Sequence, residues 1–129
     1  MSRTFKTRSF DRWMRKTELT DGLLCDAVAE MEEGLVDANL GGGVIKKRIA
    51  VPGRGKSSGA RTLLATNHKN RWFFVFGFEK NVRANISGNE LEALQDIAAD
   101  LLTLGTSQLD AAVTEGKLLE ICHDHKTKS

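Results

Sequence analysis

Residues 72–78, WFFVFGF, put bulky apolar side chains on both faces of any strand they form, so the fold must cover that strand from two sides. Such a strand belongs in the interior of a sheet. Val44 to Val51 supplies a neighbour, with Ile45, Ile49 and Val51 on one face, Lys46 and Arg48 on the other, and Lys47 breaking the alternation. Pro52 stops that strand, Gly53 to Gly59 reads as a loop, and Ala60 to Thr66 reads as the next strand. Asn67-His68-Lys69-Asn70 turns this strand back into 72–78. The opening, Arg3 to Ser9, alternates basic residues with Thr and Phe, which suits a short edge strand with a solvated polar face.

Helical spacing fills the gaps. Phe10, Trp13 and Met14 predict a short helix over 10–16, with Trp13 as a core anchor. Thr20 caps a second helix whose apolar stripe is Leu24, Ala27, Val28, Met31 and Leu35, and the triple glycine Gly41 to Gly43 ends that unit in a tight turn. Ser87 and Glu90 stand in capping-box spacing before Leu91, Leu94, Ala98 and Leu101. Beyond Gly105, the residues Leu109, Ala112, Val113, Leu119 and Ile121 predict a final, less regular helix, and 122–129 reads as a loosely docked tail. The sum is one α+β domain over residues 1–121: a small, mainly antiparallel twisted sheet of about four strands, flanked by N-terminal helices on one face and by C-terminal helices that extend the core.

Charge narrows the partners. Of 129 residues with a net charge of only +2, the stretch 44–85 carries ten basic side chains against the single acid Glu79, a local +9. Residues 21–43 hold six acids and no base. Concentrating cations in the strand-forming region points to a polyanion, and nucleic acid is the commonest. No run approaches the ~18 apolar residues of a membrane span, and MSRTFKTRSF lacks a signal-peptide core, so the expected compartment is the cytoplasm and no membrane partner is expected. Cys25 and Cys122 lack CxxC spacing and read as buried or free thiols. The tail's Cys122, His123 and His125 lack the second ligand cluster a metal would need.

The loop ending Gly55-Lys56-Ser57 imitates a phosphate-binding P-loop and fails, because Ala50 stands where the first glycine is required and a strand follows instead of a helix. GxGxxG fails too, its third glycine arriving one residue late at Gly59. No Ser-His-Asp or Cys-His set is apparent, and with Glu79 the only acid in the cationic block, two-carboxylate metal chemistry has no ligands there. Two readings stay open. The surface binds phosphate without catalysis, or clustered lysines and arginines cleave RNA without metal or cofactor, arginine stabilising the phosphorane and lysine moving protons.

The run LVDANLGGGVIKKRIAVPGRGKSSGARTLLA (Leu35 to Ala65), followed by WFFVFGFEKNVRANIS (Trp72 to Ser87) and an acidic helix, resembles the RelE/ParE toxin superfamily, in particular its RelE-like, HigB-type branch. The opening FKTRSFDRWMRK is similar to that branch as well, so the likeness covers residues 3–105. It implies the toxin of a type II toxin–antitoxin system, folded as a small sheet flanked by helices, that blocks translation as a ribosome-dependent, metal-independent mRNA endonuclease. The implied partners are a cognate antitoxin of the helix-turn-helix kind, the ribosome and its mRNA, and operator DNA only as the toxin–antitoxin complex. Carried over by position, the catalytic set is Lys56, Arg61, Lys80 and Arg83, and the RNA-binding set is Lys46, Lys47, Arg48 and Arg54. Arg61 is expected to clamp the transition state, with Lys56 and Lys80 as candidates for proton transfer. The gyrase-poisoning, ParE-like branch of the superfamily and a non-catalytic nucleic-acid-binding protein are the alternatives.

Overall fold

The computed structural model describes residues 2–51 and 55–123, with only the backbone of 55–58. Six strands form one sheet: β1 (Arg3–Thr7), β2 (Ala38–Gly41), β3 (Val44–Val51), β4 (Gly55–Thr66), β5 (Arg71–Glu79) and β6 (Leu118–Ile121), in the spatial order β2-β3-β4-β5-β1-β6. Four helices accompany them: α1 (Arg8–Met14), α2 (Asp21–Glu32), α3 (Gly88–Leu102) and α4 (Thr106–Thr114). All neighbours are antiparallel except β1 and β5, which run parallel.

The doubly apolar β5 explains the two-layered core. Phe73 and Phe74 are adjacent and point to opposite faces: Phe73 stacks on Phe5 at 5.0 Å, and Phe74 packs on Phe10 of α1 at 5.3 Å. Each is fully buried, worth about 1.5–3 kcal/mol of transfer free energy per side chain. On the Phe74 face, α1 and α2 bring Met14, Leu24, Val28 and Met31 onto Ile45, Ile49 and Leu64. On the Phe73 face, α3 and α4 bring Leu94, Ala98 and Leu109 onto Val44, Leu63 and Ala65.

Local chemistry sets the helix boundaries. Thr7 and Thr20 cap α1 and α2 by accepting from the amides of Phe10 and Leu23, each at 3.2 Å. The Ser87–Glu90 capping box is present in full at the start of α3. Gly42 and Gly43 both have positive φ, and a Cβ on either would come within 2.8 Å of Gln95 or Leu102 of α3, so the β2–β3 turn requires glycine on two counts.

Several expectations are corrected. The sheet has six strands instead of about four, because β2 lacks an apolar pattern and β6 takes Leu119 and Ile121 out of the expected last helix; Gly116, at φ +77°, makes the turn between α4 and β6. Strand β1 is not an edge: it lies between β5 and β6, and Lys6 is buried, bonded to Asp11 at 2.6 Å and Asp21 at 2.8 Å. Residues 55–59, expected in a loop, are the first part of β4, with Gly55 opposite Val51. Leu35 lies past the end of α2 and is exposed. Cys25 and Cys122 are not thiols: they form a disulfide that ties α2 to the residue after β6, across 97 positions of sequence. A separation that long carries no local spacing signal.

Candidate nucleic-acid interface

The site begins with a β-bulge. Across β4 and β5, Leu64 pairs with Phe74 but Leu63 pairs with Phe76, leaving Val75 as the extra residue. Before the bulge, Phe73 faces α3; after it, Phe76 and Phe78 do. Gly77 consequently faces α1, where Trp13 lies so close that a Cβ would come 2.3 Å from its ring. One inserted residue thus moves two aromatics onto the face that also carries the cations.

Strand register then assembles two rows on that face: Lys46, Leu63 and Phe76, and beside it Arg48, Arg61 and Phe78. Arg61 is only 6% exposed, and its Nη1 donates a long bond of 3.5 Å to the carbonyl of Gly59. Burial, then repulsion from Arg48, pushes the Arg61 guanidinium below its ordinary value, against the pull of Asp37. It stays charged, since arginine does not deprotonate in proteins.

Arg48 is held from outside the sheet's pairing. Asp37 accepts from the Arg48 amide at 2.6 Å and from its Nε at 3.1 Å. Burial raises the Asp37 carboxyl, but the bonds from the Arg48 amide and guanidinium outweigh it and hold the acid below the usual range.

The face is completed by the turn after β5. The amide of Lys80 donates to the same Gly59 carbonyl at 3.4 Å, which fixes the Lys80 backbone across from Gly59, and its side chain is exposed. Arg83 returns over the aromatics, its Cζ 5.5 Å from the Phe78 centroid and 5.9 Å from that of Phe76. Its Nε donates to the Asn85 carbonyl at 3.1 Å, and its two terminal nitrogens donate to the two oxygens of Glu90. The Arg83 bond, then the Ser87 amide, pull the Glu90 carboxyl down to about 2.

Register and the turn after β5 therefore group Lys46, Arg48, Arg61, Lys80 and Arg83. Lys47 does not join them. It faces α2, buried between Ile45 and Ile49, with Nζ 2.8 Å from both Glu30 and the Leu35 carbonyl. The broken alternation in VIKKRIAV is thus an inward lysine satisfied by a helix acid. Lys56 has its backbone on β4, with its side chain outside the description, and Arg54 lies outside the described residues. Sequence reasoning missed Asp37, Phe76 and Phe78 as site components and saw Glu90 only as a cap. The capping-box spacing marks Glu90's position, but neither the bulge nor the Asp37 contact has a sequence signal.

Among the described residues no three His, Cys, Asp or Glu side chains gather as a metal site, and no helix is long and apolar enough to cross a membrane. Among curated proteins none matches this chain. The model of the family described as "RelE toxin of RelE / RelB toxin-antitoxin system" matches residues 2–121. That span takes in every strand, both helical layers and the whole cationic face, so the chain belongs to the RelE toxin family and is the toxin half of a toxin–antitoxin pair, with a cognate antitoxin as its partner.

Proposed function

We propose that this toxin is a HigB-type, ribosome-dependent mRNA endonuclease that blocks translation without a metal. The observation that carries this reading is the cross-strand pair Arg48–Arg61 with Lys46 one step along the same face: two guanidinia and an ammonium side by side, the chemistry that meets a phosphodiester. In the reaction, the ribose 2′-oxygen loses its proton and attacks the adjacent phosphorus. The phosphorane gathers negative charge, and the bond to the 5′-oxygen breaks as that oxygen takes up a proton, leaving a 2′,3′-cyclic phosphate and a 5′-hydroxyl.

Arg61 stabilises the phosphorane in this reading; its burial supports the role, because a buried donor acts in a lower effective dielectric than a solvated one. Lys80 and Lys56 are the candidates for proton transfer, since the chain has no tyrosine and residues 44–66 and 71–85 hold no histidine. Lys46 and Arg48 grip the flanking phosphates. The antitoxin acts by covering the cationic face.

The deciding experiment adds the protein to a translation extract and maps RNA ends. Cuts that need ribosomes support the proposal. Intact message together with arrested supercoiling would move the assignment to a gyrase inhibitor, and retarded RNA without cuts to a binding protein.

A further inference from the structure

Arg83 has both terminal nitrogens taken by one carboxylate, and its orientation is fixed from three directions. Glu90 engages both terminal nitrogens, the Asn85 carbonyl engages Nε, and the rings of Phe76 and Phe78 lie beneath Cζ. Glu90 is itself held, since it accepts from the Ser87 amide at 2.8 Å while the Ser87 hydroxyl accepts from the Glu90 amide at 3.1 Å. A guanidinium whose two terminal nitrogens are both taken by a carboxylate is a weak clamp for a developing anion. One that is oriented, backed by aromatic rings and still 35% exposed is a surface for a flat π-system.

Its neighbours say which one. Phe78 is one strand spacing, ~4.8 Å, from Arg61 in the same row, so a nucleotide whose phosphate lies on Arg61 and Arg48 directs its base toward β5 and the turn that carries Arg83. We propose that Arg83 is a nucleobase-stacking residue, that its ligand is an unstacked base of single-stranded RNA next to the phosphate held by Arg61, and that Glu90 is its positioning residue. This deepens the RNA-cleavage reading above and rests on it. It also moves Arg83 from the catalytic set to the binding set. Stacking on a guanidinium is tolerant of base identity, because every base presents a π-face.

The test uses ribosomes carrying synthetic messages with a single abasic nucleotide at each position around the cut. For the wild-type toxin, one abasic position should lower kcat/KM by about 5- to 150-fold, the equivalent of about 1–3 kcal/mol of stacking. In Arg83→Lys, which keeps the charge and loses the plane, the intact message should be cut more slowly and that abasic position should cost nothing further. Glu90→Gln, which keeps an acceptor for the Ser87 amide, should fall between them, with its loss in KM more than in kcat. An abasic penalty equal in wild type and Arg83→Lys overturns the platform. If the wild type cuts no message, the cleavage reading fails separately, and the platform is then judged with a single-stranded oligonucleotide containing 2-aminopurine. Quenching by the wild type and not by Arg83→Lys upholds it; equal fluorescence with both overturns it.

Discussion

Arg48 and Arg61 stand directly opposite each other in the β3–β4 pairing, two like charges of which one is buried. Like charges in that position oppose folding. Asp37, bonded to Arg48 through amide and guanidinium, offsets part of the cost. Arg61→Met is therefore expected to leave the melting temperature unchanged or raise it, while lowering cleavage by about 10²–10³-fold, the usual effect of removing one transition-state donor. Melting curves and rates of end formation check both halves. A core-like loss of stability would mean that Arg61 serves the fold first.

Lys46 and Lys47 are adjacent and point to opposite faces, so their alanine variants should behave oppositely. Lys46→Ala should weaken RNA binding and reduce the slope of log affinity against log salt by about 0.7, the value for one lost phosphate contact on a single strand. Lys47→Ala should leave that slope unchanged and lower stability, because Glu30 and the Leu35 carbonyl lose their shared partner. Binding isotherms at several salt concentrations separate the two.

Gly77 lies under Trp13 with no room for a side chain. Gly77→Ala should cost about 1–3 kcal/mol, because the indole and the bulged strand must both shift. Activity should fall as well, since Phe76 and Phe78 flank the position. The double variant Gly77→Ala, Trp13→Leu should recover part of the stability. Denaturant titration of the single and double variants measures the coupling.

The disulfide between Cys25 and Cys122 closes a loop of 97 residues, which predicts about 4–5 kcal/mol of stabilisation on the chain-entropy account. Reduction by a dithiol, or replacement of both cysteines by serine, should lower the melting temperature by roughly 15 °C. Hydrogen exchange should rise first in β6, the edge strand held next to Cys122. Equal exchange in the oxidised and reduced protein would show that β6 is secured by its pairing with β1 alone.

The fold should be acid-sensitive. The bond from Lys6 holds the Asp11 carboxyl below its ordinary value despite burial, and the Arg48 bonds do the same for Asp37. A carboxylate depressed in this way stabilises the fold above its unfolded value, near pH 4, and loses that contribution as pH falls through the lower folded value. Stability should thus decline below about pH 4, and less steeply in Asp11→Asn, which is already less stable at neutral pH. Lys6 is the mirror case. Burial lowers it, the bonds to Asp11 and Asp21 raise it further, and its contribution is lost only at high pH, as pH rises through its raised value. Thermal melts across pH test the window.

Much of this protein was determined by local sequence. The caps at Thr20 and Ser87, the glycine turn at 41–43 and the doubly apolar β5 each follow from the physics of a few neighbouring residues, and the excess of cations over residues 44–85 marks the candidate interface. What only the tertiary structure decided depends on register and distance. The extra residue at Val75 sets which face Phe76 and Phe78 occupy, and period-two alternation cannot reveal it when both faces of a strand are apolar. Lys47 looks like its neighbours until Glu30 of α2 approaches from the other side. Asp37 and Glu90 acquire their arginines, and Cys25 its partner, only once distant segments meet. Charge and hydrophobicity are properties of a residue, legible in one dimension, whereas which face a cation occupies and what it is paired with are set by packing between elements far apart in the chain.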